Sequence, residues 1–289
     1  MDPHLNLGQR PDTSFTPVLA NPDSPPWGVF QAVITLFASL GLLFLLPSLL
    51  TLPYLVYRYK GAGVALTRDL LLADKFFVFF SVLAVFPVHF LTLAMVWAVV
   101  TQFGKFPFWS TIGWNWGQNF SFWKSASLAV ALLLVALLLG SLFGGQPTEM
   151  EKLILSSRMT AYATALLATA TAPIVEELVY RGVVYAAFQR AAGAFWATLI
   201  VASLFAGIHF WEYWPNVGAL STIVLLSFAL TVVRARTGRI LPCLIIHLVF
   251  NGIQSLFIVF APYVEHLQHP GRQSAAIVHL IGRVLGHLG

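Results

Sequence analysis

Residues 122–143 read Phe-Trp-Lys-Ser-Ala-Ser-Leu-Ala-Val-Ala-Leu-Leu-Leu-Val-Ala-Leu-Leu-Leu-Gly-Ser-Leu-Phe. After Lys124 no charge interrupts this run, and its length matches the ~20 residues a helix needs to cross the hydrocarbon layer of a bilayer. Nothing in that layer can hydrogen-bond a bare peptide group, so the run must be helical; a β-barrel strand would alternate in polarity instead. Comparable runs lie to either side, roughly Val29 to Tyr57, Phe76 to Thr101, Leu153 to Ala172, Ile174 to Ala192, Phe195 to Trp211, Val217 to Val233 and Ile240 to Phe260. The whole chain agrees. Its 289 residues are 58% apolar and 9% charged, with mean hydropathy +0.80, which leaves too little polar surface to cover a soluble globule. The expectation is an all-α, polytopic membrane bundle of about eight transmembrane helices. Only Pro173 separates Leu153–Ala172 from Ile174–Ala192, so these read either as two spans or as one span followed by a helix dipping into the protein interior.

The flanks differ in composition. Residues 1–27 hold six prolines and no apolar periodicity, which reads as a disordered tail. The membrane domain is expected over residues 28–262. In the remaining tail, 263–289, Ile277, Leu280, Ile281, Val284, Leu285 and Leu288 recur at helical spacing opposite His279, Arg283 and His287, as in an interfacial amphipathic helix. No short apolar segment with a charged leader and a small-residue cleavage site precedes the first run, so that run reads as a span. The single cysteine, Cys243, can form neither an internal disulfide nor a Cys-rich metal cage, and reads as packing.

Short basic loops at Arg58, Lys60 and Arg68 and at Arg234, Arg236 and Arg239 are both expected on the cytoplasmic face, with the aromatic segments 106–123 and 211–214 opposite. The net charge of +5 belongs to such loops beside anionic lipid. No aromatic-interleaved basic patch points to nucleic acid, so the expected partner is the bilayer.

Against this background, residues 174–182 read Ile-Val-Glu-Glu-Leu-Val-Tyr-Arg-Gly. An ionisable group at bilayer depth costs at least ~2.5–3.5 kcal/mol on insertion scales, so three within six residues call for a reason beyond packing. Taken as helical after Pro173, the segment puts Arg181 one turn beyond Glu177, where the two pair. Glu176 is rotated away without a local cation, and in a poorly hydrated cavity such a carboxylate moves toward general-base work. A buried ion-pair network is the competing reading. Phe205 with His209, and His247 with Asn251, are each four residues apart on later runs, hence on common helical faces. Taken singly, each histidine reads better as an interhelical hydrogen bond. Three helices with matching polar faces instead define one shared polar cavity away from lipid.

That cavity holds a carboxylate, imidazoles and an amide donor, the parts needed to hydrolyse a peptide bond. There is no Gly-x-Ser-x-Gly turn, no second thiol and no Asp on the polar helices, which disfavours serine, cysteine and aspartyl mechanisms and leaves attack by activated water. No cofactor is expected on this reading. The alternative on the same residues is zinc held by Glu176, His209 and His247, since two His and one Glu form an accepted catalytic set. A proton-coupled carrier would show internal repeats, which the sequence lacks; a non-enzymatic scaffold or immunity protein would keep the cavity without turnover. His89, after Pro87, reads as bonding a carbonyl freed by the proline. Glu212, among Trp211, Tyr213 and Trp214, reads as an interfacial charge, and Gly182 as permitting close helix contact.

Glu-Glu-x-x-x-Arg at Glu176, Glu177 and Arg181, Phe-x-x-x-His at Phe205 and His209, and His-x-x-x-Asn at His247 and Asn251 together resemble the three motifs of the CPBP family of CAAX proteases and bacteriocin-processing or immunity proteins. The resemblance covers roughly residues 150–262. It implies an intramembrane endopeptidase of glutamic type in a bacterial inner membrane, acting on a peptide or protein substrate that is membrane-associated or prenylated. It further implies that Glu176 activates water, His209 positions that water and shuttles its proton, Glu177 and Arg181 support them, and His247 and Asn251 stabilise the oxyanion.

Overall fold

The computed structural model describes residues 22–61, 63, 65–117 and 119–268. The amphipathic segment around Ile277 to Leu288 lies outside them. All regular structure among the described residues is helical: α1 Val29–Tyr59, α2 Arg68–Ala73, α3 Lys75–Leu83, α4 Val85–Thr101, α5 Phe108–Thr111, α6 Phe122–Phe143, α7 Glu149–Leu155, α8 Arg158–Leu166, α9 Ala172–Glu176, α10 Tyr185–Ile208, α11 Phe210–Tyr213, α12 Val217–Thr237 and α13 Leu241–Gln268. Among the described residues, six helical stretches are long and apolar enough to cross a membrane. This is an integral membrane protein.

The polar stretch folds differently from a simple α-helix. Leu167–Thr171 and Glu177–Val184 are wound as π-helix on either side of α9, so residues 158–192 form one helical stretch. Proline inside a helix clashes with the carbonyl four residues back, and the wider turn just before Pro173 gives that carbonyl room. The two runs that flank Pro173 are therefore a single crossing. The chain reverses instead at Gly193, where φ 84° and ψ 166° define a backbone region open essentially to glycine alone. With that reversal the described residues pass through the bundle seven times.

Losing one crossing at Pro173 changes which loops share a face. Between the end of α1 and the loop after α12 the chain crosses five times rather than six, an odd number. Arg58 and Lys60 accordingly sit at one end of the bundle. Arg234 sits at the other, bonded to Asp23 Oδ1 at 3.0 Å and to Pro22 O at 3.3 Å just before α1 begins. The two basic clusters do not share a face as the loop charges suggested. The aromatic segment 106–117 also lies at the Arg234 end, where Ile240 N donates to Gly113 O. The Trp211–Trp214 segment lies at the Arg58 end, tied there by Asn216 Nδ2 to Gln146 O.

The expected tail boundary at residue 27 falls inside packed structure. Trp27 is among the largest fully buried side chains, and its indole donates to Val183 O at 3.0 Å. Arg190 donates to Pro25 O nearby. At the opposite boundary α13 runs on to Gln268, past residue 262.

Close approach of helices is set by glycine at two places. A Cβ on Gly182 would meet Ile112 Cδ1 at 2.7 Å, and one on Gly218 would meet the α6 backbone at Gly140 and Gly144 at 3.0–3.1 Å. The reading of Gly182 as a contact residue is met. Cys243 is buried, with its Sγ 3.3 Å from Leu230 O, and packs among Leu230, Ile246 and Phe250.

Candidate active site

The π-turn Glu177–Val184 carries the centre of the site, and its wider winding leaves backbone and side chains to be satisfied from neighbouring helices. Arg181 is fully buried. Its Nη1 donates to Glu177 Oε1 at 3.0 Å, its Nη2 to Ser227 O at 3.1 Å and Ser227 Oγ at 3.3 Å, and its Nε to Thr231 Oγ1 at 3.4 Å. The guanidinium also lies 4.4 Å over the Phe205 ring, a favourable placement for a desolvated cation. Every face of this charge is thus met, which is the condition for keeping it in a dry interior. The backbone O of Arg181 accepts from Arg234 Nε at 3.1 Å, so a second buried arginine holds the π-turn from above.

Glu177 Oε1 bridges Arg181 and His247, whose Nδ1 lies at 2.9 Å. The opposite ring nitrogen, His247 Nε2, faces Glu176 Oε2 at 3.7 Å. The imidazole therefore sits between the two carboxylates. Exposure separates those carboxylates: the Glu177 side chain is 1% exposed and that of Glu176 24%. Glu177 is committed to structure, and Glu176 opens into the cavity.

The cavity has a volume of about 310 Å³ and is lined by Glu176, His209, His247 and Asn251, with Leu40, Leu43 and Phe44 of α1 forming an apolar side. His209 Nδ1 is 2.8 Å from Phe205 O, a contact that requires Nδ1 to carry the proton and leaves Nε2 unprotonated in the neutral ring. The spacing of Phe205 and His209 thus has a structural meaning beyond a shared face: the motif's own carbonyl fixes the histidine tautomer. Asn251 Nδ2 donates to Ala168 O at 3.1 Å, so one of its two N–H groups is already engaged by the π-turn before Pro173.

All seven residues named in the three motifs lie together, with Arg181 and Glu177 behind the cavity wall and Glu176, Phe205, His209, His247 and Asn251 on it. Two further residues join them. His89 lines the cavity, and its Nδ1 meets Thr171 Oγ1 at 2.8 Å rather than a carbonyl freed by Pro87. Glu212 also lines the cavity; burial pushes its carboxyl above the usual carboxylate range, with His209 opposing that shift. Its position three residues after His209 was the available signal, obscured by the surrounding tryptophans. Among the described residues no three His, Cys, Asp or Glu side chains gather closely enough to hold a metal ion.

Residues 158–253 match the family model described as type II CAAX prenyl endopeptidase Rce1-like. Over this stretch the chain is similar to that family. That stretch begins with α8 and ends within α13, so it contains every residue of the cluster just described except His89, and it supports a protease that works inside the membrane. Neither the curated proteins nor the solved structures yield a match to this chain.

Proposed function

We propose that this protein hydrolyses a peptide bond with water activated by Glu176. The observation that carries the reading is the division between two adjacent carboxylates, one buried with its Oε1 paired to Arg181 and the other partly open in a cavity of about 310 Å³. Glu176 takes a proton from water, and the hydroxide adds to the substrate carbonyl carbon to give a tetrahedral oxyanion. Collapse breaks the C–N bond as the proton passes to the leaving amine, so the products are a carboxylic acid and an amine. His209 Nε2 accepts a hydrogen bond from the attacking water and relays its proton. His247, held by Glu177, keeps Glu176 oriented. The free N–H of Asn251 stabilises the oxyanion together with the ring of His247.

The apolar side formed by Leu40, Leu43, Phe44 and Val85 supports a substrate that is membrane-associated or prenylated, cut in the inner membrane of a bacterial cell. The test is cleavage of a fluorogenic prenylated peptide and a general peptide library by purified protein in detergent. Glu176→Gln is expected to lower the rate by ~10²–10⁴-fold, the range for loss of a general base, and a chelator to leave the wild type unchanged. Cleavage by Glu176→Gln at the wild-type rate would remove the base assignment. Chelator sensitivity would revive zinc, and loss of no phenotype in cells carrying Glu176→Gln would favour a scaffold.

A further inference from the structure

Helix α13 presents four polar side chains to the bundle interior, and three already have a partner within the protein. His247 is bound to Glu177, Asn251 to Ala168 O, and Ser255 Oγ to Ala165 O at 3.3 Å. The fourth, Gln254, is 9% exposed and its Nε2 has no hydrogen-bond partner. Across from it on α8, Thr164 is 5% exposed and its Oγ1 is likewise unpartnered. A buried amide or hydroxyl without a partner is destabilising, and the two residues that carry these groups line the same space.

That space is a side chamber of about 90 Å³ next to the active cavity, with Gln254, Thr164 and Asn251 lining both. By liquid volume it has room for ~3 waters of ~30 Å³ each, the scale of one small polar head group. Its other polar walls include Thr148 and Glu151. The Glu151 carboxylate accepts from Thr148 N at 3.3 Å and disfavours a second carboxylate beside it, whereas a neutral amide or hydroxyl can both give to and take from this lining. Gln254 lies seven residues from His247, or ~10 Å along the helix at ~1.5 Å per residue. An extended substrate advances ~3.3–3.6 Å per residue, so the chamber lies ~3 residues from the scissile bond.

The geometry points to a specificity subsite in which Gln254 and Thr164 bind a neutral, hydrogen-bonding substrate side chain about three residues from the cleaved bond. The inference rests on the proteolytic reading for its substrate but on the chamber for its chemistry. It is tested by binding rather than turnover, using the full-length Glu176→Gln protein in detergent. The probes are paired peptides that differ only by Gln or the similarly sized Met at positions two to four from the scissile bond. The expected result is ~10-fold or more preference for Gln at one of these positions, because a site with unpaired polar groups rejects the analogue that cannot meet them. Adding Gln254→Met should bring the ratio near one, and Thr164→Val should lower it independently, each at a melting temperature close to that of the parent. A ratio near one in the parent, or an unchanged ratio in both well-folded double variants, overturns the subsite. If the preference holds while wild-type protein cuts none of the peptides, the subsite stands and the proteolytic reading falls.

Discussion

Helices α6 and α13 pack side by side and differ little by hydropathy, 2.6 for Phe122–Phe143 and 2.1 for Leu241–Phe260. Their inner faces have opposite characters. The buried positions of α6 are Ser125, Ala129, Leu132, Leu133, Ala136 and Gly140, a smooth wall into which α12 settles at Gly218. The inner face of α13 carries His247, Asn251, Gln254 and Ser255, each turned toward the stretch around Pro173. Bulk apolarity decides that both helices cross the membrane. A handful of polar side chains at helical spacing decides which one carries a site, because in hydrocarbon those groups can be satisfied only by one another.

The comparison is broken most directly through the charge pair that anchors the polar side. Arg181→Met leaves Glu177 buried opposite His247 alone, and should lower stability by ~3–5 kcal/mol, as removal of one partner from a buried pair does. Reversible unfolding in detergent would read this. Combining it with Glu177→Gln should cost less than the two changes added together, since the second relieves the charge stranded by the first. Full additivity would mean that the pair is not coupled.

On the smooth side the expected damage is steric. Gly218→Val pushes side-chain atoms against the α6 backbone already 3.0–3.1 Å from a Cβ at that position, an overpacking cost of ~1–3 kcal/mol. Tolerance of valine there, seen as an unchanged melting temperature, would show that α6 and α12 can slide apart. By contrast Leu134 of α6 is 61% exposed on the outer face. Lipid chains are as apolar as leucine, so Leu134→Ala should leave stability in the bilayer almost unaffected. A clear loss there would reveal a packing partner on that face.

The smallest effect belongs to the loop end of the bundle. Glu149 is held below the usual carboxylate range by its hydrogen bond to Lys152, with the charges of Lys152 and Arg68 adding to it against a desolvation that raises it. A lowered carboxyl contributes stability above its unfolded value, near ~4.3 for glutamate. That contribution disappears as pH falls through the lower folded value. The side chain is 35% exposed, and solvent screening limits the effect to ~0.2–1 kcal/mol. Melting curves of wild type and Glu149→Gln should converge under acid; a gap that persists there would contradict the ion-pair account.

Much of the site is legible along the chain because its three motifs are local. Glu177 and Arg181, Phe205 and His209, and His247 and Asn251 each lie four residues apart, a separation that the helix turns into a shared face. Glu212, His89 and Gln254 were harder to see. None belongs to a motif pair four residues apart, and only packing brings each to the cavity. The crossing at Pro173 shows the same limit in the fold: proline ordinarily breaks a helix, and nothing local announces the π-wound turns that let it stay inside one. That one difference changed the parity of the crossings and with it the faces on which the basic loops sit.

The amino-acid sequence by itself determined that this chain is a helical membrane protein with one polar cluster, because water-avoiding side chains and unsatisfied peptide groups leave no other arrangement in a bilayer. Only the tertiary structure decided which glutamate stays open. Glu176 and Glu177 are neighbours of the same type, and their roles separate only when α12 and α13 bring Ser227, Thr231 and His247 around Arg181. Burial and partners are properties of the packed bundle, and they turn one carboxylate into structure and leave the other facing the cavity.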